Sequence, residues 1–438
     1  MKSFFVFLFC LFFSVGAQAQ SLVLDSEVQA WLEAMAQPLL TAAGLERENL
    51  QFYVVGNTDI NAFATPQRHV FMHSGLILEA DTPDQVRGVL AHEIAHIDAN
   101  HFVGRVQDFG RAQMTGLAGA LIGIGTAIAT GSSDAALAGA LFGQGAGFSS
   151  ILAHSRTDER EADQRGTDIL HQAGYSAEGM VSFFKVINNH QLLAYRRQPG
   201  YLQTHPLSQE RISNLSRKVE SESAQLKAAD PADLHKFSRI QARLYALTHS
   251  PMQTLRRYRG DSTPDRLART IAHLLRGDMQ AARAPLQALH QNLPDDPFVL
   301  ELMAHTALEQ QKFAQAAQGF ADVIARRDDL LLPRLYLARA YQAQGKFEEA
   351  LPALDILSHR KPDWPLVHEE LGIVYGKLGR FGPGQLALAT ADLLRRKPQE
   401  MRGHLQQAQK HIEDSDVELA TKMAGLLAEL TALENNAR

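Results

Sequence analysis

From Asp25 to Leu45, apolar residues recur at Val28, Trp31, Leu32, Met35 and Leu39, the spacing that turns one face of a helix toward a core. Two short apolar runs follow, LQFYVVG from Leu50 to Gly56 and HVFMHSG from His69 to Gly75, and each, closed by a glycine, predicts a strand. NAFATPQR between them predicts a turn-rich connection. Thr82, with Pro83 next and Gln85 three residues on, predicts a capping box with proline at the first helical position, so a helix should start there and run past His96. The pattern then changes to MTGLAGALIGIGTAIATGSSDAALAGALFGQGAGFSS, rich in Gly and Ala and almost free of charge, which predicts two small-residue helices joined by a polar turn over about 104–150. Such a hairpin could be a lid or wall beside a site, or an element that touches membrane. Its many glycines and the shortness of each half weigh against the second use. SRTDEREADQRGTDILHQAGY predicts a polar helix, GMVSFFKVINNH an amphipathic one, and YLQTHPLSQERI a loop leading into another helix.

Beyond about Asp261 the period lengthens. Met279, Phe313, Phe347 and Phe381 recur every 34 residues, with the small residues Ala282, Ala316, Ala350 and Gly384 three positions later and Leu286, Phe320, Leu354 and Leu388 seven positions later. Four hits in phase resemble the tetratricopeptide repeat, in which helix-turn-helix units stack and the small residue lets the two helices approach. Pro294 and Pro362 stand at the expected inter-repeat turns, whereas Asp328 and Arg396 replace proline at the other two, so the array is degenerate. FSRIQARLYALTHS before the array and the helical tail after Pro398 are expected to cap the stack with polar outer faces.

The first residues, MKSFFVFLFCLFFSVGAQAQ, read as an export signal: an early lysine, an apolar run too short for a comfortable span, then Ala17 and Ala19 around Gln18. Residues 1–19 are therefore expected to be removed. That changes the cysteine count, because the only cysteine, Cys10, lies within them. A mature chain without thiols must hold any metal through His, Asp or Glu, and must be stable in an oxidising compartment through packing alone. At 438 residues the chain exceeds a single core, and its net charge of −5 gives no electrostatic reason to expect a nucleic-acid partner.

The candidate chemistry lies in VLAHEIAHIDANH. On a helix, His92 and His96 stand one turn apart on one face and can direct two imidazoles at one ion, while Glu93 lies close enough to take a proton from water attacking a carbonyl. This HExxH spacing suits a zinc site, but two imidazoles bind weakly and a third ligand is needed. If SRTDEREAD is helical, Glu159 and Asp163 share a face from which Glu161 points away. Glu159 is then the expected ligand, and Asp163 the residue that orients a ligand histidine through its second nitrogen. His101, five residues past His96, should point off the shared face and serve packing or capping. His154 and His171 carry no spacing argument and are expected to be structural.

HEIAH and SRTDEREAD, with NAFATP and SGLI ahead and AGYSAEGM and THPLSQERI behind, resemble the zinc metallopeptidase family that includes HtpX and the Ste24-type prenyl-protein proteases. Signal, peptidase region and repeats together resemble its periplasmic BepA, or β-barrel assembly-enhancing, type. The resemblance covers nearly the whole mature chain. It implies a gluzincin-like α+β peptidase domain over 20–225, then a helical tetratricopeptide solenoid over 226–438, mainly α with a small β-sheet. It also implies one Zn2+ on His92, His96 and Glu159, with Asp163 behind them and Glu93 catalytic. His205, a histidine before proline in a loop and so ordinarily just exposed, is implied as a transition-state stabiliser or a reversible zinc ligand. The family commonly has Gly where this chain has Gln67, a departure that bears on a local turn and not on the metal residues.

The function so implied is a periplasmic zinc endopeptidase that degrades misfolded or stalled outer-membrane β-barrel proteins and assists their assembly. Its repeats would dock on the outer-membrane assembly machinery, with no nucleic-acid partner and at most peripheral membrane contact. The alternative is an assembly chaperone or adaptor whose peptidase site is normally closed. An exposed edge at HVFMHS would let an extended peptide bind by strand addition, without strong sequence preference.

Overall fold

Strand β1 (Ser21–Leu22) leads to Asp25, whose carboxylate accepts from the backbone N–H groups of Glu27 and Val28 and so starts helix α1 (Ser26–Ala43). The structure, a computed structural model, describes residues 21–66, 68–101, 155–193, 200–222, 231–413 and 416–436. The expected export signal over 1–19, the expected Gly/Ala-rich hairpin at about 104–150, Gln67 and His154 lie outside the described residues. Val28, Leu32, Met35 and Leu39 of α1 are buried as their spacing predicts, while Trp31 is partly buried and stacks on Phe237.

Strands β2 (Gln51–Gly56), β3 (Ala62–Ala64) and β4 (His69–His73) complete a four-stranded sheet in the order β1-β2-β4-β3. β2 and β4 run parallel, with Gln51 opposite His69, and the outer pairs are antiparallel. Two expectations are corrected here. The connection NAFATPQR contains a strand, because Ala62–Ala64 pairs with Val70–Met72. HVFMH is an inner strand, with β2 and β3 on its two sides, so it offers no free edge. Alternation of side chains sends Phe52, Val54, Val70 and Met72 into the main core and Tyr53, Val55 and Phe71 to the opposite face, where Phe71 stacks on Tyr53 and Phe63.

Helix α2 (Ser74–Glu79) precedes α3 (Pro83–Asp98), which is buried along almost its whole length. Thr82 is its N-cap and Pro83 its first residue, but the expected capping box is incomplete: the Gln85 N–H donates to the Thr82 carbonyl rather than its hydroxyl, and the Gln85 side chain accepts from the Asp81 N–H at 2.7 Å. Helices α4 (Arg156–Gln172) and α5 (Glu178–Leu193) pack on α3 at two glycines. A Cβ on Gly88 would lie 2.5 Å from the Met180 backbone, and one on Gly166 only 3.3 Å from the His92 backbone. Ser155 and Asp158 form a full capping box that starts α4. Contrary to the expected loop, YLQT lies in a short helix, α6 (Gly200–Thr204), before α7 (Gln209–Glu222).

Helix α8 (Pro231–Thr248) corrects another expectation. It is not a cap with a polar outer face: it packs on α1, α2 and α3 on one side and on the repeats on the other. Its Gln241 amide donates to the Ile77 and Ala80 carbonyls at 3.0 and 2.8 Å, and Arg243 grips Asp25 and Glu27 at 2.6 and 2.8 Å. After α9 (Pro251–Arg257) the pairs follow: α10 (Thr263–Leu275) with α11 (Met279–Asn292), α12 (Pro297–Glu309) with α13 (Phe313–Arg326), α14 (Leu332–Ala343) with α15 (Phe347–Arg360), and α16 (Pro365–Lys377) with α17 (Phe381–Leu394). All four marker residues are thus the first residue of a second helix. Two positions before each marker the backbone turns left-handed, at Gly277, Gln311, Gly345 and Gly379. Ala282, Ala316 and Ala350 are fully buried, and Gly384 lies against the Gly372 backbone. Helices α18 (Pro398–Gln409) and α19 (Val417–Asn436) close the stack.

Candidate metal centre

The middle of α3 carries three polar residues, His92, Glu93 and His96, with no solvent exposure. Burying such groups is costly unless partners or an ion compensate. The partners come from α4 and from the residue that follows α6. Gly166 lets α4 approach the His92 backbone, which brings Glu159 and Asp163 of that helix toward the imidazoles. His205 directly follows α6, its N–H donating to the Tyr201 carbonyl at 2.7 Å, and its ring enters the same space.

Four side chains converge there: His92, His96, Glu159 and His205, all buried. His92 Nε2 lies 3.1 Å from His96 Nε2 and 3.4 Å from His205 Nδ1. Glu159 carboxylate oxygens lie 3.5 Å from His92 Nε2, 3.4 Å from His96 Nε2 and 3.0 Å from His205 Nδ1. Four donors around one zinc at about 2.0–2.1 Å in a tetrahedron would stand about 3.3–3.4 Å apart. The separations and the His3Glu chemistry of the set therefore fit one Zn2+, with His92, His96, Glu159 and His205 as the residues that would hold it.

The surrounding groups are placed for orientation. Asp163 Oδ1 is 3.2 Å from His92 Nδ1, the nitrogen turned away from the cluster, where a carboxylate can orient the ring. Glu93 is the most isolated member. Its carboxylate has His205 Nε2 at 3.4 Å and the Ala64 backbone as neighbours, and burial raises its pKa above 4.5. Burial alone would lower His92, but hydrogen bonds to Asp163 and Glu159 outweigh it and lift the imidazole to about 9. Burial likewise works to raise Glu159, yet His205, His92 and His96 hold it well below the usual carboxylate range. The pocket is thus arranged to hold positive charge.

Two groups were not singled out in the sequence, Arg211 and Tyr201. Arg211 of α7 is buried; it donates to both Asp163 oxygens at 2.7 and 2.8 Å and pairs with Glu159 at 2.7 Å. The need for a cation among three buried carboxylates was a signal that could have drawn attention to it. Tyr201, fully buried, lies against the His205 ring. His101 was expected to serve packing or capping; its Nδ1 lies 2.9 Å from His96 Nδ1. Glu161 points away as expected, to Arg165 and His101, and His171 is outside the cluster.

A model of the family described as Peptidase family M48 matches residues 26–219, and one described as Tetratricopeptide repeat matches residues 307–369. The chain is 26% identical over 352 residues to the beta-barrel assembly-enhancing protease of Escherichia coli (strain K12), spanning 78% of this chain and 70% of that protein. The protein of the same name from Yersinia pestis is 27% identical over 342 residues, spanning 74% and 67%. The mitochondrial metalloendopeptidase OMA1 of Bos taurus is 26% identical over 230 residues, spanning 47% and 43%.

Proposed function

Because this chain carries a peptidase family M48 domain followed by tetratricopeptide repeats, and is a zinc metalloendopeptidase, we propose that it cleaves misfolded or stalled outer-membrane β-barrel proteins in the periplasm and assists the assembly of others. The convergence of four buried donor atoms beside the Glu93 carboxylate carries the catalytic part of this reading. The export signal expected over 1–19 is in keeping with that compartment, and the relatives named for β-barrel assembly support the substrate class.

His92, His96 and Glu159 would hold zinc, which when bound would supply Lewis acidity to polarise a peptide carbonyl and acidify water; Asp163, backed by Arg211, faces the His92 ring and would fix it. Glu93 takes a proton from the attacking water and returns it to the amide nitrogen of the leaving chain. His205, whose Nδ1 lies among the donors, would as a reversible zinc ligand close the site to substrate, or would as a transition-state stabiliser meet the charge that develops on the carbonyl oxygen.

The sheet edge nearest the site is β3, whose Ala64 backbone neighbours Glu93. An extended segment adding to β3 would lay its carbonyls beside the donors, bound through backbone groups with little sequence preference. The repeats would dock on the assembly machinery. Among the described residues no helix is long and apolar enough to cross a membrane, so any contact of those residues with the outer membrane through a helix would be peripheral.

The four-donor arrangement also favours a second reading, an assembly chaperone or adaptor with a normally closed peptidase site. Glu93→Gln separates the two. The expected result is full zinc content, no cleavage of an unfolded β-barrel protein and, under the second reading, undiminished support of β-barrel assembly in cells. Undiminished cleavage by that variant would overturn the catalytic role of Glu93.

A further inference from the structure

The metal helix ends sooner than a continued helical pattern implies, and this moves His101. Helix α3 stops at Asp98, Asn100 adopts the left-handed conformation at φ 53°, and the His101 N–H donates back to the His96 carbonyl at 3.2 Å. The chain therefore reverses, and the His101 ring returns beneath His96. The two rings meet at a centroid distance of 5.0 Å.

The proton positions follow from the ends of this pair. His96 turns Nε2 to Glu159 and His92, so as a zinc ligand it carries its ring proton on Nδ1. Facing that Nδ1 at 2.9 Å is His101 Nδ1, and two nitrogens can share only one proton. His101 Nδ1 is thus the acceptor, which leaves its own proton on Nε2. That nitrogen faces the Glu161 carboxylate across 3.4 Å. Arg165 donates to Glu161 at 2.9 Å and to Asp98 at 2.7 Å, so the last link returns to the final residue of the metal helix. With these tautomers the His96 N–H meets an acceptor at hydrogen-bond distance, and the His101 Nε2–H faces the Glu161 carboxylate at the longer range of an ion pair.

We propose that His101 is a positioning residue of the metal centre: by accepting from His96 Nδ1 it fixes the tautomer and ring plane of the second ligand histidine, as Asp163 does for His92, with Glu161 anchoring it from the surface. The two ligand histidines are then oriented by different chemistry, a carboxylate behind one and an imidazole behind the other. Such outer partners typically change metal affinity 10- to 100-fold. The proposal rests on the reading of His96 as a zinc ligand.

The test measures zinc affinity of the full chain by competition with a chelator, together with the visible spectrum of the Co2+-substituted protein. His101→Leu fills the space without an acceptor and is expected to weaken zinc by about 10- to 100-fold and to shift the Co2+ bands. His101→Asn, which offers Oδ1 near the place of Nδ1, is expected to restore affinity to within about threefold of the parent. Glu161→Ala alters only a half-exposed side chain, so the fold survives, and zinc is expected to weaken several-fold. Unchanged affinity in His101→Leu, or an Asn variant no better than Leu, would overturn the proposal. Should His101→Leu not fold, unchanged affinity in Glu161→Ala would overturn it. His96→Ala is the control: zinc retained there at full stoichiometry means that the ligand reading itself fails, whereas zinc lost there but held by His101→Leu defeats the positioning role alone.

Discussion

Tyr201 lies flat against His205, the ring centroids 4.5 Å and the planes 23° apart, and neither ring is exposed. The Tyr201 N–H donates to the Ile60 carbonyl at 3.0 Å, so the stack ties His205 to the approach of the edge strand β3. The Tyr201 hydroxyl is buried with no hydrogen-bond partner among the described residues. Tyr201→Phe should therefore keep the stack and leave stability unchanged or raised by about 1 kcal/mol. Tyr201→Ala should cost about 3–5 kcal/mol and loosen His205. Denaturant unfolding and peptidase assays on the pair check this; a loss of activity in the Phe variant would show that the hydroxyl, not the ring, matters.

Arg211 is the cation that balances Glu159 and Asp163, sharing their carboxylate oxygens with His92. Arg211→Met keeps much of the bulk and removes the charge. It should destabilise the metal-free protein by about 3–5 kcal/mol, since two buried carboxylates lose their partner. Added zinc should recover part of that loss, by mass action on the folded state. Thermal unfolding with and without zinc reads both effects.

The junction between α8 and the repeats should be sensitive to acid at one position. Burial works to raise the Asp296 carboxyl, but Arg239, bonded at 2.7 and 2.8 Å, and the Val299 and Phe298 N–H groups hold it below 3.8. A carboxylate lowered in the folded state contributes stability that is fully present above its unfolded value and is lost as pH falls through the folded one. Asp296→Asn keeps the helix cap and removes the charge. At pH 7 it should be about 1–3 kcal/mol less stable than the parent, and the gap should close below a pH of about 4. Glu27, which burial raises, shares Arg239 with Asp296 and feels its charge, so Asp296→Asn also eases the ionisation of Glu27.

Gln311 holds a left-handed backbone, φ 59°, at the repeat position where Gly277, Gly345 and Gly379 stand in the other three units. An L side chain there costs about 1–2 kcal/mol, part of which glycine gives back as chain entropy in the unfolded state. Gln311→Gly should raise stability by about 0.5–1 kcal/mol without touching the site. A lowered midpoint would mean that the Gln311 side chain contributes more than its backbone costs.

Two pairs in and behind the cluster, His92/His96 and Glu159/Asp163, were legible because residues four apart share a helical face, whereas His205 was implied only by the family resemblance. The repeats were legible for a similar reason: a 34-residue period puts every marker at the start of a helix. What escaped was set by tertiary approach or by where a helix ends. Gly88 and Gly166 let three helices meet at the metal, but a glycine inside a helical pattern does not reveal its neighbour. His101, expected only to pack or cap, meets His96 Nδ1 because the helix ends at Asp98 and Asn100 reverses the chain, a turn that a helical wheel does not show. The inner position of HVFMH was hidden because three alanine-and-phenylalanine residues, Ala62–Ala64, make a strand too short for alternation to mark it.

Helix α8 is shared property. Its Phe237 completes the packing of Trp31, its Gln241 closes the end of α2, and its arginines tie Asp25 and Glu27 to Asp296 at the start of α12. A polypeptide ended at Glu222 would leave those groups bare, and one begun at Pro251 would strip α10 of the helix that covers it. The hydrolytic half and the scaffold half should accordingly melt in a single transition, and fusions that exchange repeat arrays between such proteins should carry α8 with its own peptidase partner rather than cut at the motif boundary.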